Sequence, residues 1–93
     1  MIKSFRDADT ELLWNTGKSR RVPASLRKVA SRKLAWLDSA SNFDQLRIPP
    51  ANHLEALTGN RKGQFSIRIN DQFRFCFLWQ GNNAQDVEIV DYH

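Results

Sequence analysis

The sequence predicts an α+β fold in which N-terminal helices pack on one face of a twisted antiparallel β-sheet. Two observations predict this class. Apolar residues repeat at helical spacing in the first half of the chain, whereas apolar and polar residues alternate one by one after Gly63. The two periods occupy separate parts of the chain, which is typical of helices layered on an antiparallel meander. A chain of 93 residues fits one compact domain, so we expect a single domain over residues 1–93.

The first helix is predicted in the stretch "DADTELLWNTG". Asp7, Asp9 and Thr10 are all candidate N-terminal caps, and Gly17 is a typical stop. The preceding "MIKSF" alternates apolar and polar residues, which predicts a short edge strand.

The strongest helical pattern runs from Pro23 to about Ala40. Proline suits a first helical turn, and apolar residues recur there at helical spacing, with Trp36 at the border of the stripe. Lys33 falls inside this apolar stripe. Either its stem reaches the edge of the buried face, or the stripe is only half covered.

The second half of the chain predicts a meander of short strands. A short strand in "HLEAL" comes first, then "QFSIRI", a two-residue turn at Asn70 and Asp71, "QFRFCFLW", a turn in "QGNN", and "AQDVEIVDY". Strand parity assigns to the helix-covered face Phe65, Ile67, Ile69, Phe73, Phe75 and Phe77. It assigns to the opposite face Arg68, Arg74, Glu88 and Tyr92, and this polar face is where a phosphate backbone could bind.

Charge favours an anionic partner. Fourteen Lys and Arg against ten Asp and Glu give a net charge of +4 and a pI near 9.7, which favours nucleic acid. Seven cations lie between Glu11 and Asp38 with no acid among them, namely Lys18, Arg20, Arg21, Arg27, Lys28, Arg32 and Lys33. The alternative is that this run is simply a solvated helix face.

Cysteine usage and hydropathy indicate a cytoplasmic protein. Cys76 is the only cysteine, so no internal disulfide can form, and a packed structural role is expected for it. No apolar run approaches the length of a membrane span, and the N-terminus lacks the apolar core of a secretory signal. We therefore expect no membrane association.

The chain ends in "DYH", which suggests RNA cleavage without a metal. Such cleavage needs a base for the 2′-hydroxyl proton, an acid for the leaving 5′-oxygen, and cations for the charged phosphorane. His93 can serve as acid or base, Asp91 or Glu55 as base or as the group that orients the imidazole, and Tyr92 can stack on a base or donate to phosphate.

The arginines of the polar sheet face are the candidate phosphate ligands. Arg74 or Arg68 can hold phosphate oxygens in fork geometry. The alternative is that both belong to surface ion pairs, with Glu88 across the strand as a candidate partner. No Cys and His grouping has metal-ligand spacing and no glycine loop suits a phosphate, so no metal or cofactor is expected.

Three stretches together resemble the HigB, or plasmid-maintenance killer, group of the RelE-like toxins: "MIKSF", "LEALTGNRKGQFSIRINDQFRFCF" and "VEIVDYH". The resemblance runs essentially from Met1 to His93. It implies a toxin of a type II toxin–antitoxin module that enters the decoding site of the ribosome and cleaves messenger RNA without a metal. It also implies a cognate HigA-like helix-turn-helix antitoxin as partner, with operator DNA bound only through that antitoxin.

The resemblance also implies roles for individual residues. Asp91, Tyr92 and His93 match the catalytic terminal motif of the family, and Arg74 matches a strand arginine expected to hold phosphate. Where several HigB toxins carry a histidine, this chain has Glu55, which is either an alternative base or a sign of weak nuclease activity. The residues expected to contact RNA are Arg61, Lys62, Arg68, Lys18, Arg20, Arg21, Arg27, Lys28 and Arg32.

The sequence is also compatible with two other functions. The ParE-like toxins of the same superfamily inhibit DNA gyrase by protein contact without catalysis. A ribosome- or RNA-binding protein that blocks without cutting is the other alternative. Tyr92 and His93 beside a basic sheet face favour the nuclease, because a protein that acts by contact alone does not need them.

Overall fold

The computed structural model describes residues 1–91. Helix α1 spans Ala8–Thr16 and helix α2 spans Ala24–Ser39. Strands β1 (Glu55–Ala56), β2 (Phe65–Arg68), β3 (Phe73–Gln80) and β4 (Asn83–Asp91) form one antiparallel sheet in that order. The predicted fold class is confirmed.

The caps of α1 explain its bounds. The Asp7 carboxylate accepts the Thr10 N–H at 2.7 Å, which satisfies one of the free donors of the first turn. At the other end, Gly17 takes a left-handed conformation (φ 77°) and its N–H donates to the Leu13 carbonyl, as glycine does at helix ends. Asp7 is thus the cap among the three candidates. Asp9 instead accepts the Ser19 hydroxyl at 2.6 Å and the Arg20 N–H at 2.7 Å, and these bonds tie α1 to the loop before α2.

Helix α2 and the sheet enclose the core. The apolar stripe of α2 buries Ala30, Leu34 and Leu37, as its periodicity predicts. The buried residues of the sheet that join them are Ile67, Ile69, Phe73, Phe75, Phe77, Ala84, Val87 and Ile89. Phe65 and Trp79 are only half-buried, because they pack with Phe43 at the margin of this cluster.

The two hairpins of the meander have different turns. Gly81 and Asn82 connect β3 to β4 with positive φ at both positions, the type I′ geometry that matches strand twist. The predicted two-residue turn at Asn70 and Asp71 is wrong. Arg68 pairs with Arg74 and the Ile69 N–H donates to the Phe73 carbonyl, so three residues form the turn. The Asn70 side chain closes it by accepting two backbone N–H groups, from Gln72 and Phe73.

A β-bulge changes the parity of β4. Cys76 pairs with Glu88 but Leu78 pairs with Gln85, so two residues of β4, Asp86 and Val87, lie opposite Phe77. Asp86 takes a positive φ of 52°, the left-handed conformation that the first residue of a G1 bulge adopts. The bulge leaves both Ala84 and Val87 on the buried side although they are three positions apart.

The outer edge of β4 is covered by the N-terminal segment. Ile2 and Phe5 form isolated parallel bridges with Ala84 and Val87, and the Lys3 N–H donates to the Ala84 carbonyl at 2.8 Å. The predicted strand in "MIKSF" is therefore present as two bridges. This pairing protects an edge that would otherwise be open to other chains. Within residues 1–91, neither helix is long and apolar enough to cross a bilayer.

Candidate active site

The sheet face turned away from the helices holds the polar residues that parity predicts. The strand register places on this face Glu55, Ser66, Arg68, Arg74, Cys76, Glu88 and Val90, together with Leu78 and Gln85 beyond the bulge. We call this set the open face. It is less exposed than its composition suggests, because Ser66 and Cys76 are buried and Arg74 is only 9% exposed. Arg74 therefore lies on the predicted face, but it is buried there rather than exposed.

Arg74 is held on three sides. Its Nε donates to the buried Ser66 hydroxyl at 2.8 Å, and an Nη2 hydrogen donates to the His53 carbonyl. Its Nη1 lies 3.9 Å from a Glu55 carboxylate oxygen. A guanidinium fixed in this way keeps its direction while charge develops nearby, which is the requirement for stabilising a phosphorane.

Among residues 1–91, Glu55 is a carboxylate that the structure brings beside Arg74. It stands in the two-residue strand β1, opposite Ser66, and its side chain is 56% exposed. A solvent-accessible carboxylate next to a buried guanidinium pairs a candidate proton acceptor with a candidate phosphate ligand.

Glu88 forms a separate cluster on the open face. Its two carboxylate oxygens lie 3.0 Å from the Arg6 Nε and 3.1 Å from the Arg61 Nη2, and the Glu88 side chain is only 13% exposed. Arg61 also donates from Nη1 to the Gln64 side chain at 3.0 Å. Glu88 thus pairs with these two arginines, and not with Arg68 or Arg74 as the ion-pair alternative supposed. Arg61, expected to contact RNA, has a structural role in addition.

Arg68 and Lys62 lie at the margins of the open face. Arg68 is the register partner of Arg74 and its guanidinium pairs with Asp71 in the β2–β3 turn. Lys62 is exposed and follows the short 3₁₀ turn Gly59–Arg61. Both positions are open to a polyanion that crosses the face.

Asp91 lies on the other side of the sheet. The register sets it opposite Phe73, whose side chain belongs to the helix-covered core. The Asp91 carboxylate accepts the Gln72 side-chain amide at 3.0 Å and lines an open cleft of about 520 Å³ with Arg21 and Pro23. The structure therefore does not bring Asp91 together with Arg74. Tyr92 and His93 lie outside the described residues.

The predicted RNA-binding cations divide into two groups. Lys18, Arg20, Lys28 and Arg32 are exposed. Arg27 is half-buried and donates to two main-chain carbonyls, those of Val22 at 3.1 Å and Ser19 at 2.7 Å, so it supports the loop before α2. Arg21 pairs with Asp7 at 3.2 Å.

Within the described part of the chain, Lys33 and Asp9 have shifted pKa values. Burial lowers the pKa of Lys33, and the nearby positive charges of Arg32, Arg68 and Arg74 lower it further. Burial alone would raise the pKa of Asp9, but hydrogen bonds from Arg20 and Ser19 outweigh it and hold the pKa below its ordinary value.

The comparison with protein families decides the identity of this fold. The family described as RelE-like toxin of the type II toxin–antitoxin system HigB matches residues 3–93. The chain belongs to this family. The resemblance found in the sequence is thereby confirmed, and the chain is a HigB-like toxin.

Curated relatives agree with this assignment. Toxin HigB-1 of Vibrio cholerae is 42% identical over 80 residues, which cover 85% of this chain and 84% of that protein. Endoribonuclease HigB of Proteus vulgaris is 30% identical over 93 residues and covers all of both chains. Both relatives are close in length to this HigB-like chain, since most or all of each chain is covered.

Solved structures support the RelE-like fold. A YoeB–YefM complex from Staphylococcus aureus superposes with a TM-score of 0.62 at 16% identity, over 100% of this chain and 98% of that chain. A heterotetrameric YoeB–YefM toxin–antitoxin complex from the same species gives a TM-score of 0.61. At this identity the likeness establishes the fold of the HigB-like chain and nothing finer.

Three residues around Arg74 were not predicted from the sequence. Ser66, Asn52 and the main chain of His53 support the guanidinium directly or indirectly. Only one signal in the sequence pointed to this arrangement, the lysine at position 33 within an apolar stripe. Its partners could not be inferred, because they lie in segments far away along the chain.

Proposed function

We propose that this HigB-like toxin is a ribosome-dependent endoribonuclease that cleaves messenger RNA without a metal and so inhibits translation. The observation that carries the proposal is the buried Arg74 guanidinium, fixed by Ser66 and the His53 carbonyl, with the accessible Glu55 carboxylate 3.9 Å away. The name of the Proteus vulgaris relative, Endoribonuclease HigB, supports this activity.

The reaction is an attack of the RNA 2′-oxygen on the adjacent phosphorus. A base takes the 2′-hydroxyl proton, the new bond from the 2′-oxygen to phosphorus forms, and the bond from phosphorus to the 5′-oxygen breaks. An acid gives a proton to the leaving 5′-oxygen. Arg74 stabilises the charge on the phosphorane oxygens.

The distribution of carboxylates favours Glu55 as the base. Glu55 stands on the same sheet face as Arg74, whereas Asp91 starts from the helix-covered side. We assign the acid to His93 and a stacking or phosphate contact to Tyr92, as the terminal motif of the family implies. In this scheme Asp91 holds the end of β4 to the β2–β3 turn through Gln72.

The partners follow from the same proposal. The exposed cations of the α2 region and Lys62 contact ribosomal RNA, and Arg68 helps to hold the message. A HigA-like helix-turn-helix antitoxin neutralises the toxin in the cytoplasm. The toxin–antitoxin complexes among the structural neighbours support an antitoxin as partner. We assign all of these functions to one domain over residues 1–93.

The decisive experiment incubates the protein with ribosomes programmed with a defined message and maps the RNA ends. We expect cleavage by the unmodified chain, none by a chain that lacks His93, and equal folding of the two by circular dichroism. An inhibition of translation with intact RNA would favour the blocking alternative. Inhibition of gyrase supercoiling with no effect on translation would favour the ParE-like alternative, and either result refutes the nuclease.

A further inference from the structure

Lys33 is a charged residue on a face of α2 that otherwise carries apolar side chains. It lies within the apolar stripe of the helix, and its half-buried ammonium donates to the Asn52 side-chain oxygen at 2.9 Å and to the Arg68 main-chain carbonyl at 2.7 Å. Asn52 is itself 4% exposed. Lys33 therefore joins two chain segments that are distant in sequence, one before β1 and one at the end of β2.

Those two segments form the frame around Arg74. The residue after Asn52 is His53, whose carbonyl accepts an Nη2 hydrogen of Arg74. Strand β2 contributes Ser66, which accepts the Nε hydrogen, and Arg68, which is the register partner of Arg74. The Lys33 ammonium thus ties together the two sides from which the guanidinium is held.

Within residues 1–91, two other attachments fix the His53 side of this frame to the sheet, the short strand β1 and the half-buried Leu54, which packs against the core. Strand β1 has only two residues, paired with Ser66 and Phe65. His53 takes a left-handed conformation (φ 47°) at the end of the short turn Pro50–Asn52, so its carbonyl direction depends on how that turn is anchored. The buried residue of that turn is Asn52, whose side-chain oxygen accepts a hydrogen bond from the Lys33 ammonium.

We propose that Lys33 is a positioning residue for Arg74: its ammonium anchors Asn52 to strand β2 and thereby aims the His53 carbonyl that orients the guanidinium. This inference rests on the proposed function for its catalytic consequence, but the structural relation can be tested without any cleavage. Burial and neighbouring cations lower the pKa of Lys33, which agrees with an ammonium enclosed beside the site.

The first test follows the Arg74 Nε–H group by ¹⁵N NMR in the full chain. Arg27 is an internal reference in the same spectrum, because its Nε also donates to a carbonyl, that of Val22, far from Lys33 in the hydrogen-bond network. We expect Lys33→Met to speed the solvent exchange of the Arg74 Nε hydrogen by on the order of tenfold and to leave that of Arg27 unchanged. Lys3→Met makes the same substitution at an exposed lysine and controls for the loss of charge.

The second test is a double-mutant cycle on cleavage of programmed ribosomes. Lys33→Met should lower kcat on the order of tenfold with little change in KM, because a misdirected Arg74 weakens transition-state stabilisation more than binding. In an Arg74→Ala background the same substitution should have no further effect, since the group through which it acts is gone. If Lys33→Met does not fold, Asn52→Ala removes the same link while it keeps the lysine.

The outcomes separate the two proposals. Unchanged exchange of the Arg74 hydrogen in both variants would overturn the positioning role, whatever the chain does to RNA. Faster exchange of the Arg74 Nε hydrogen in either variant would support the positioning role. If the unmodified chain at the same time cleaves no RNA, the nuclease proposal is refuted while the positioning role stands. Equal loss of kcat with and without Arg74 would show that Lys33 acts elsewhere, and would overturn the inference.

Discussion

In the proposed function, Arg74 combines a catalytic role with the structural role that its hydrogen bonds show. Because the guanidinium is buried and donates to Ser66 and His53, its truncation leaves two acceptors without a donor. We therefore expect Arg74→Ala to cost about 2 kcal/mol of unfolding free energy and to slow cleavage by on the order of 10² or more. Urea unfolding and cleavage of programmed ribosomes measure the two effects.

The variant Arg74→Lys is the matched control for this prediction. It keeps the positive charge but loses the planar fork that reaches Ser66, His53 and Glu55 together. Cleavage should stay low although the charge is present. Full cleavage by Arg74→Lys would show that charge alone suffices and that the fixed geometry is not needed.

Glu55 offers a cleaner separation of chemistry from binding. Its side chain is 56% exposed and the Arg74 Nη1 is 3.9 Å away, so Glu55→Gln should change stability by less than about 0.5 kcal/mol. We expect cleavage to slow by on the order of 10², with ribosome association unchanged in a sedimentation assay. Asp44→Asn is the control, because that carboxylate forms an exposed pair with Arg47 away from the open face. Unchanged cleavage by Glu55→Gln would return the role of base to Asp91.

At the scale of the elements, Asp9 links α1 to the loop that leads into α2. Its folded pKa lies below the unfolded value of about 3.9 because the Ser19 and Arg20 hydrogen bonds outweigh its burial. A depressed carboxyl pKa contributes stability above the unfolded pKa, and this contribution is lost as the pH falls through the folded pKa. Asp9→Asn should thus destabilise the fold by about 1 kcal/mol at neutral pH, and the difference should shrink as the pH falls below about 4. Thermal unfolding across this pH range tests the sign, and a difference that grows on acidification would contradict it.

The cations of the α2 region should separate into two classes. Lys28 and Arg32 are exposed, so Lys28→Ala with Arg32→Ala should weaken ribosome binding and reduce the slope of log K against log salt by about one for each phosphate that is no longer neutralised. Stability should hardly change. Arg27→Ala should instead destabilise the fold, because the Val22 and Ser19 carbonyls lose their donor. If the double variant has the same salt slope as the unmodified chain, these two cations do not contact phosphates and the helix surface is only solvated.

Local features of the helices and strands were predictable from the sequence, whereas contacts between distant segments were not. Alternation and caps predicted β2 to β4 and the bounds of α1, because those signals are local. The bulge at Asp86 was not predicted, since a residue inserted into an alternating strand leaves the polar and apolar pattern ambiguous. Arg74 was assigned to the correct face, but its burial depends on the loop at His53, which no periodicity describes. The link from Lys33 to Arg68 spans 35 positions and is set only by the packing of α2 on the sheet.

At the scale of the whole molecule, the candidate active site has few ionisable groups and the net positive charge is modest. Its net charge is +4, and Arg6 and Arg61 already pair with Glu88 on the open face. Under the proposed function, we therefore expect a free RNA strand to gain little binding energy and not to be held in the in-line geometry that the reaction needs. We expect the same message to be cleaved at least about 10²-fold faster on the ribosome than in solution. Equal rates with and without ribosomes would refute this dependence.

The covered edge of β4 has a consequence for how the chain acquires its structure. Met1, Lys3 and Ser4 exchange main-chain hydrogen bonds with Ala84 and Val87, so a segment that precedes both helices pairs with a strand that is synthesised much later. Contacts of such sequence separation form late and slow the search for the native state. During translation the N-terminal segment remains without this partner until β4 has left the exit tunnel, which takes seconds at ordinary elongation rates. The edge of β4 is therefore covered only after the three other strands of the sheet have also been synthesised.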